Sequence, residues 1–169
     1  MRSNVRFRSG YKAALAACFL VPWAGASQAA STTSTFAVQV AITATCTINS
    51  ASTLNFGTQG VLATNVDQTS TLQVTCTNTT PYNIGLDAGT GTGATVATRK
   101  LTSGGATVNY TLYSDTGRTT VWGNTVSTDT VAGTGNGSGQ SYTVYGRIPA
   151  QTTPAPGNYA DTITVTVTY

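Results

Sequence analysis

Proton transfer and covalent catalysis draw on a short menu of side chains, and this 169-residue chain holds little of it. It has no histidine and no glutamate. Its carboxylates are Asp67, Asp87, Asp115, Asp129 and Asp161, and no spacing among them, Asp115 and Asp129 included, aims two at one substrate. Serine and threonine are plentiful, but a hydroxyl nucleophile needs a base beside it, and the usual base is missing. A metal would have to be held by aspartates and carbonyl oxygens alone, with no EF-hand-like ladder to do so. The glycine-rich runs Gly89–Gly93 and Gly133–Gly139 lead into no helical pattern and lack the Lys-Ser/Thr ending of a phosphate loop. They read as loops too flexible and polar to pack. The expectation is a protein that is not an enzyme, with no catalytic residue, cofactor, metal or small-molecule substrate.

The first residues read as a signal rather than as part of a fold. Arg2, Arg6, Arg8 and Lys12 precede a short apolar run, Ala13–Val21, and the small residues of Ala24–Ala30 follow. That order is an export signal over residues 1–29, cleaved after Ala29. The apolar run falls well short of the roughly 20 residues that cross a bilayer. The formal charge of +3 loses four cations with this segment, leaving Arg99, Lys100, Arg118 and Arg147 against five aspartates, a balance of −1. No basic patch remains for nucleic acid or anionic lipid. Cys18 goes too, and Cys46 and Cys76, an even pair in an exported chain, are most simply a disulfide.

The elements that would position these residues are strands. The chain is rich in Thr, Val and Tyr, which suit a pleated sheet, and poor in the residues that favour helices. Strands are predicted over 53–56, 70–77, 82–86, 95–101, 107–113, 120–122, 141–148 and 159–168, separated by turn residues. This is an all-β pattern of sandwich or barrel type. Trp122, Tyr110, Tyr113, Tyr142 and Tyr145 read as core fillers between sheets rather than as a ligand surface. Arg147, a lone charge on a strand, reads as the structural partner of Asp87 or Asp161.

One strand is too long for the fold. Apolar or small residues alternate from Phe36 through Val38, Val40, Ile42, Ala44 and Cys46 to Ile48. Thirteen residues span about 40 Å at ~3.3 Å each, against the 17–20 Å or so of an ordinary strand. At the other end Ile163, Val165, Val167 and Tyr169 alternate with threonines, and nothing follows to cover that strand. Either the strand bends from one sheet to the other or its first half packs against something else. The second reading gives a sandwich lacking its final strand, with a groove beside Ile163–Tyr169 filled by Phe36–Ile42 of the next subunit. Donor and acceptor surfaces differ, so such a contact grows head to tail into an open filament.

The ordered set Phe36-Ala37-Val38 to Cys46, Leu54-Asn55-Phe56-Gly57, Leu72–Thr77 and Tyr82–Leu86 resembles a known family. Tyr110–Tyr113 with Trp122-Gly123, Val144–Ile148, Pro156–Thr162 and Val165–Tyr169 continue the match over nearly all of the exported part. It resembles the spore coat protein U domain family, which includes the Csu-type pilins of archaic chaperone–usher systems. The resemblance implies an incomplete immunoglobulin-like β-sandwich, a periplasmic chaperone, an outer-membrane usher, and donor-strand exchange between copies of itself or related pilins in a surface fibre serving adhesion or biofilm formation. It implies a donor segment over residues 30–44, with Phe36, Val38, Val40 and Ile42 as donor residues, and a sandwich domain over 45–169. Ile163, Val165, Val167 and Tyr169 would form the acceptor groove and chaperone-binding strand. The rival readings are a coat or envelope protein completed by its own N-terminal strand, and a carbohydrate-binding module built on the aromatic residues.

Overall fold

Alternation of inward apolar and outward polar residues dictates where strands lie, and a computed structural model describes them for Gly25 and residues 27–169. The expected signal over 1–29 lies almost wholly outside the described residues. The chain divides into two units, Met1–Gln39 and Val40–Tyr169. In the first, residues 27–39 carry no regular secondary structure and are exposed.

The second unit contains eight strands: β1 Cys46–Ala51, β2 Val66–Cys76, β3 Pro81–Leu86, β4 Arg99–Ser103, β5 Ala106–Tyr113, β6 Val131–Thr134, β7 Gly139–Ile148 and β8 Val165–Thr168. They form a five-stranded sheet, β1-β2-β7-β5-β4, and a three-stranded sheet, β6-β3-β8, with the strands of each pair antiparallel. The core lies between the inward positions of each strand: Leu72, Val74 and Cys76 of β2, Tyr82, Ile84 and Leu86 of β3, Val108, Tyr110 and Leu112 of β5, and Val144 and Ile148 of β7. Among the described residues no helix is long and apolar enough to cross a membrane.

Several expectations need correction. The long strand from Phe36 is not formed: residues 36–45 have no ladder partner, and β1 begins only at Cys46. The strands expected at 53–56 and 120–122 are absent apart from a single bridge between Val121 and Tyr113. The one expected over 159–168 shrinks to β8, with an isolated bridge from Ala160 to Thr102. The run Gly133–Gly139 is more ordered than its composition suggests. Gly133 and Thr134 belong to β6, and Gly139 opens β7. The rings of Tyr82 and Tyr142 occupy the space where a Gly133 side chain would stand, so only glycine brings that backbone so close.

Two devices fix the sandwich at its other end. Arg99 is fully buried, and its guanidinium donates to the carbonyls of Asp87 (2.8 Å), Val96 (2.7 Å), Leu86 (3.0 Å) and Trp122 (2.7 Å). Burial lowers its pKa, opposed by nearby Tyr110 and Asp87. The Trp122 indole N–H donates to the Ile84 carbonyl at 2.8 Å, tying the 120s loop to β3. Gly146, an inward position of β7, leaves a hole that Leu54 and Phe56 fill: a Cβ there would sit 2.7 Å from Leu54 Cδ1 and 3.0 Å from Phe56 Cζ.

Candidate functional site: an open groove and an uncovered segment

The apolar alternation of Ile163, Val165 and Val167 turns those side chains toward the core, and all three are half-buried against it. Hydrogen bonding holds the strand on one side only. β8 pairs with β3 through Leu86↔Val165, Gly85↔Thr166, Ile84↔Val167 and Asn83↔Thr168, and in the sheet order it is an edge. β1 is likewise the edge of the other sheet.

Between these edges the sandwich is open. A groove of about 400 Å³ has Ala51, Thr53, Leu54 and Phe56 on one wall and Asp161, Ile163 and Val165 on the other. Its floor is the core itself, with Leu72, Leu86, Tyr110, Leu112 and Val144 reached from outside. A second cavity of about 820 Å³, between residues 53–62 and 153–161, shares Leu54, Phe56, Leu101 and Asp161 with the first, so the two run on as one trough. An edge strand beside a trough floored by core side chains is suited to receive an extended segment: backbone groups supply a ladder and alternate side chains enter the trough.

Two aspartates brace the backbone around β8, and Asp161 also lines the groove. Asp87, just past β3, accepts from the Thr164 and Gly89 backbone N–H groups at 2.9 and 3.0 Å, holding the approach to β8 in place. Burial works to raise its pKa, but the Thr164 and Gly89 hydrogen bonds bring it below the usual 3.8. Asp161 accepts from the Tyr110 hydroxyl (2.7 Å) and from the backbone and side chain of Thr90, both at 2.8 Å. Burial, then that carboxylate, pushes the Tyr110 phenol well above its ordinary pKa and keeps it a neutral donor.

The four donor candidates are found elsewhere: Phe36, Val38, Val40 and Ile42 are exposed at 87, 84, 84 and 79%. Isolated exposed apolar residues are ordinary, but four at alternate positions of one segment are not. Of the acceptor candidates, Ile163 and Val165 line the groove, Val167 packs on the core beyond it, and Tyr169 is exposed and lines neither cavity. The walls of the two cavities come mainly from residues 51–62 and 153–165. Sequence reasoning missed Leu72 and Val144 as floor residues, although their alternation marked them as inward, and missed Leu54 as part of a wall. Cys46 and Cys76 are joined by a disulfide across the first rung of the β1–β2 ladder.

The remaining polar residues are engaged in holding loops and strands. Asp115 accepts from the Thr119 and Thr120 N–H groups, and Asp129 from that of Thr125. Arg147 pairs with Asp67, not with Asp87 or Asp161, through two hydrogen bonds of 2.7 Å, and Arg118 lies 3.4 Å from the same carboxylate. The Arg147 hydrogen bond is the main reason the Asp67 carboxyl sits below its usual pKa. The aromatic residues form no single platform. Trp122 and Tyr110 are buried in the core, Tyr142 meets Tyr82 edge-on, and Arg118 lies over the Tyr145 ring at 5.7 Å. Among the described residues no cluster of three or more His, Cys, Asp or Glu exists that would hold a metal ion.

Comparison with known proteins agrees with this geometry. The sequence model of the Spore Coat Protein U domain matches residues 32–166. Protein U of Myxococcus xanthus is 31% identical over 177 aligned residues, covering 96% of this chain and 98% of that protein. The fold is similar to a chain in the crystal structure of the CsuC–CsuE chaperone–tip adhesion subunit pre-assembly complex, from the archaic chaperone–usher Csu pili of Acinetobacter baumannii. That likeness has a TM-score of 0.54 at 24% identity and covers 76% of this chain but only 40% of the other. The fold is an incomplete immunoglobulin-like β-sandwich, and the chain belongs to the Spore Coat Protein U domain family.

Proposed function

We propose, on the premise of that membership, that the protein is a structural fibre subunit: a pilus or fimbrial building block that polymerises by donor-strand exchange. The supporting observation is the coexistence of an open, core-floored groove with a segment whose alternate apolar residues are all exposed. Phe36, Val38, Val40 and Ile42 of one subunit would add a strand beside β8 of the next and turn their side chains into the trough. Burying such side chains stabilises by about 1.5–3 kcal/mol each, before the cost of ordering the segment is subtracted. The two surfaces differ, so growth is head to tail.

A subunit with an open core is an aggregation hazard until covered. A periplasmic chaperone holding the groove through the region of Ile163, Val165, Val167 and Tyr169 would answer it, with an outer-membrane usher presiding over the exchange. The route is then export by the signal over 1–29, capture in the periplasm, and assembly at the cell surface, in support of adhesion or biofilm formation. The domains follow as a donor segment over 30–44 and a sandwich over 45–169.

The test is an unboiled SDS gel of surface material. A ladder that collapses to monomer on strong heating is expected, and its absence would count against the fibre. Deleting Ala30–Thr43 should leave a subunit that still binds a chaperone but joins no polymer. A coat protein completed by its own leading segment would instead unfold on that deletion.

A further inference from the structure

Resting on the fibre reading, we infer that the Cys46–Cys76 disulfide is a mechanical staple: it passes tension arriving through the N-terminal segment directly to β2, so that the edge strand β1 is not peeled from the sheet. The segment that would lie in a neighbour's groove joins the sandwich at Thr45. There its N–H donates to Thr77 Oγ1 at 3.1 Å and its carbonyl accepts the Thr77 N–H at 2.9 Å. The next residue is Cys46, the first of β1 and one end of the disulfide. Pull on the fibre therefore enters the domain at the cross-link.

Without the cross-link, the same pull would meet a weak element end-on. β1 has six residues, five of them exposed, and among the described residues β2 is its sole ladder neighbour. The register Cys46↔Cys76 puts the loaded end at the first rung. An antiparallel edge pulled from its end opens one rung at a time, each hydrogen bond worth a net ~0.5–1.5 kcal/mol. β2 is held differently. It has 11 residues, lies between β1 and β7, runs in register with β7 from Val66↔Ile148 to Thr75↔Gly139, and buries Leu72, Val74 and Cys76. A disulfide elsewhere would stabilise against heat as well; only one at the point of entry intercepts tension.

The test pulls single full-length chains by handles at the N-terminus and at exposed Thr143 of the interior strand β7, oxidised and then reduced in place. Where the buried sulfur resists reduction, Cys46→Ser/Cys76→Ser serves instead. The cysteines are 30 positions apart, so reduction should lengthen the released contour by about 100 Å at roughly 3.3–3.6 Å per residue. The high-force first event of the oxidised chain should be lost, replaced by low-force peeling. With the N-terminal handle moved to exposed Asn78, just past the staple, both redox states should rupture at equal force. An unchanged first rupture force at the N-terminal handle overturns the inference. So does equal weakening at both handles, the mark of an ordinary stabiliser, or an oxidised chain that resists at neither. A missing ladder on the unboiled gel would refute the fibre reading alone, because the single-chain comparison needs no polymer.

Discussion

Phe36–Ile42 and Leu72–Cys76 carry the same alternation of apolar and polar residues, yet their fates are opposite. In the second stretch Leu72, Val74 and Cys76 are at most 1% exposed, and a neighbouring strand runs along each side. In the first, four equally apolar side chains stand in solvent with no ladder at all. Alternation is thus a statement of what a segment can line, and the location of a matching surface decides whether it does so. In β2 that surface is the same chain. For Phe36–Ile42 the proposed surface is the groove of another copy.

The sharpest test of the contrast places one charge in each stretch. Val74→Asp should cost about 4 kcal/mol or more in denaturant unfolding, because it buries an unpaired carboxylate. Val38→Asp should leave the unfolding free energy within about 0.5 kcal/mol, yet abolish the heat-labile ladder. Equal effects on folding would erase the distinction. Arg99→Met tests whether the fixed region depends on its buried cation. Four carbonyls lose their donor, and with each unsatisfied buried group costing ~1–3 kcal/mol, a loss of roughly 3 kcal/mol or more is expected. Gly146→Ala probes the packing of Leu54 and Phe56 beside the groove. Overpacking there should destabilise by about 1–3 kcal/mol and slow polymer formation. If only stability falls, the wall does not shape the groove.

Smaller effects are expected on the outer face. Asp67→Asn removes a partly exposed carboxylate from Arg147 and Arg118 and should cost about 0.2–1 kcal/mol, less in high salt. At Asp87 the effect is a shape in the acid limb. Its folded pKa lies below 3.8, so its contribution is complete above that pH and is lost as pH falls through the folded value. Asp87→Asn should flatten the acid limb of a stability–pH curve. It should also weaken protection of the Thr164 amide in hydrogen exchange, the amide that leads into β8.

How much of this was legible beforehand varies residue by residue. Inward positions of β2, β3, β5 and β7 follow from period-two alternation, since a pleated strand sends successive side chains to opposite faces. β6 was hidden because Gly133 and Gly135 resemble a loop by composition; their reason for being glycine is the tyrosine rings and the Cys76 and Thr77 backbone pressed against them. Arg147 was paired with the wrong aspartate because its partner depends on register. Asp67 stands opposite Arg147 across the β2–β7 ladder, 80 residues away in the chain. The groove residues Leu54 and Phe56 come from a segment with no strand geometry, so no periodic signal located the trough they wall.

The amino-acid sequence alone determined the absence of histidine and glutamate, the all-β class, and the apolar alternation that runs from Phe36 to Ile48. These depend on residue type and on local period, which are properties of the chain as written. Only the tertiary structure decided that the long alternation breaks at Cys46, that the trough opens beside 51–62 and 153–165, and that the cross-link stands where the leading segment enters. Those depend on which edges are left unpaired after two sheets have closed on one core, a matter of long-range contacts that no local pattern encodes.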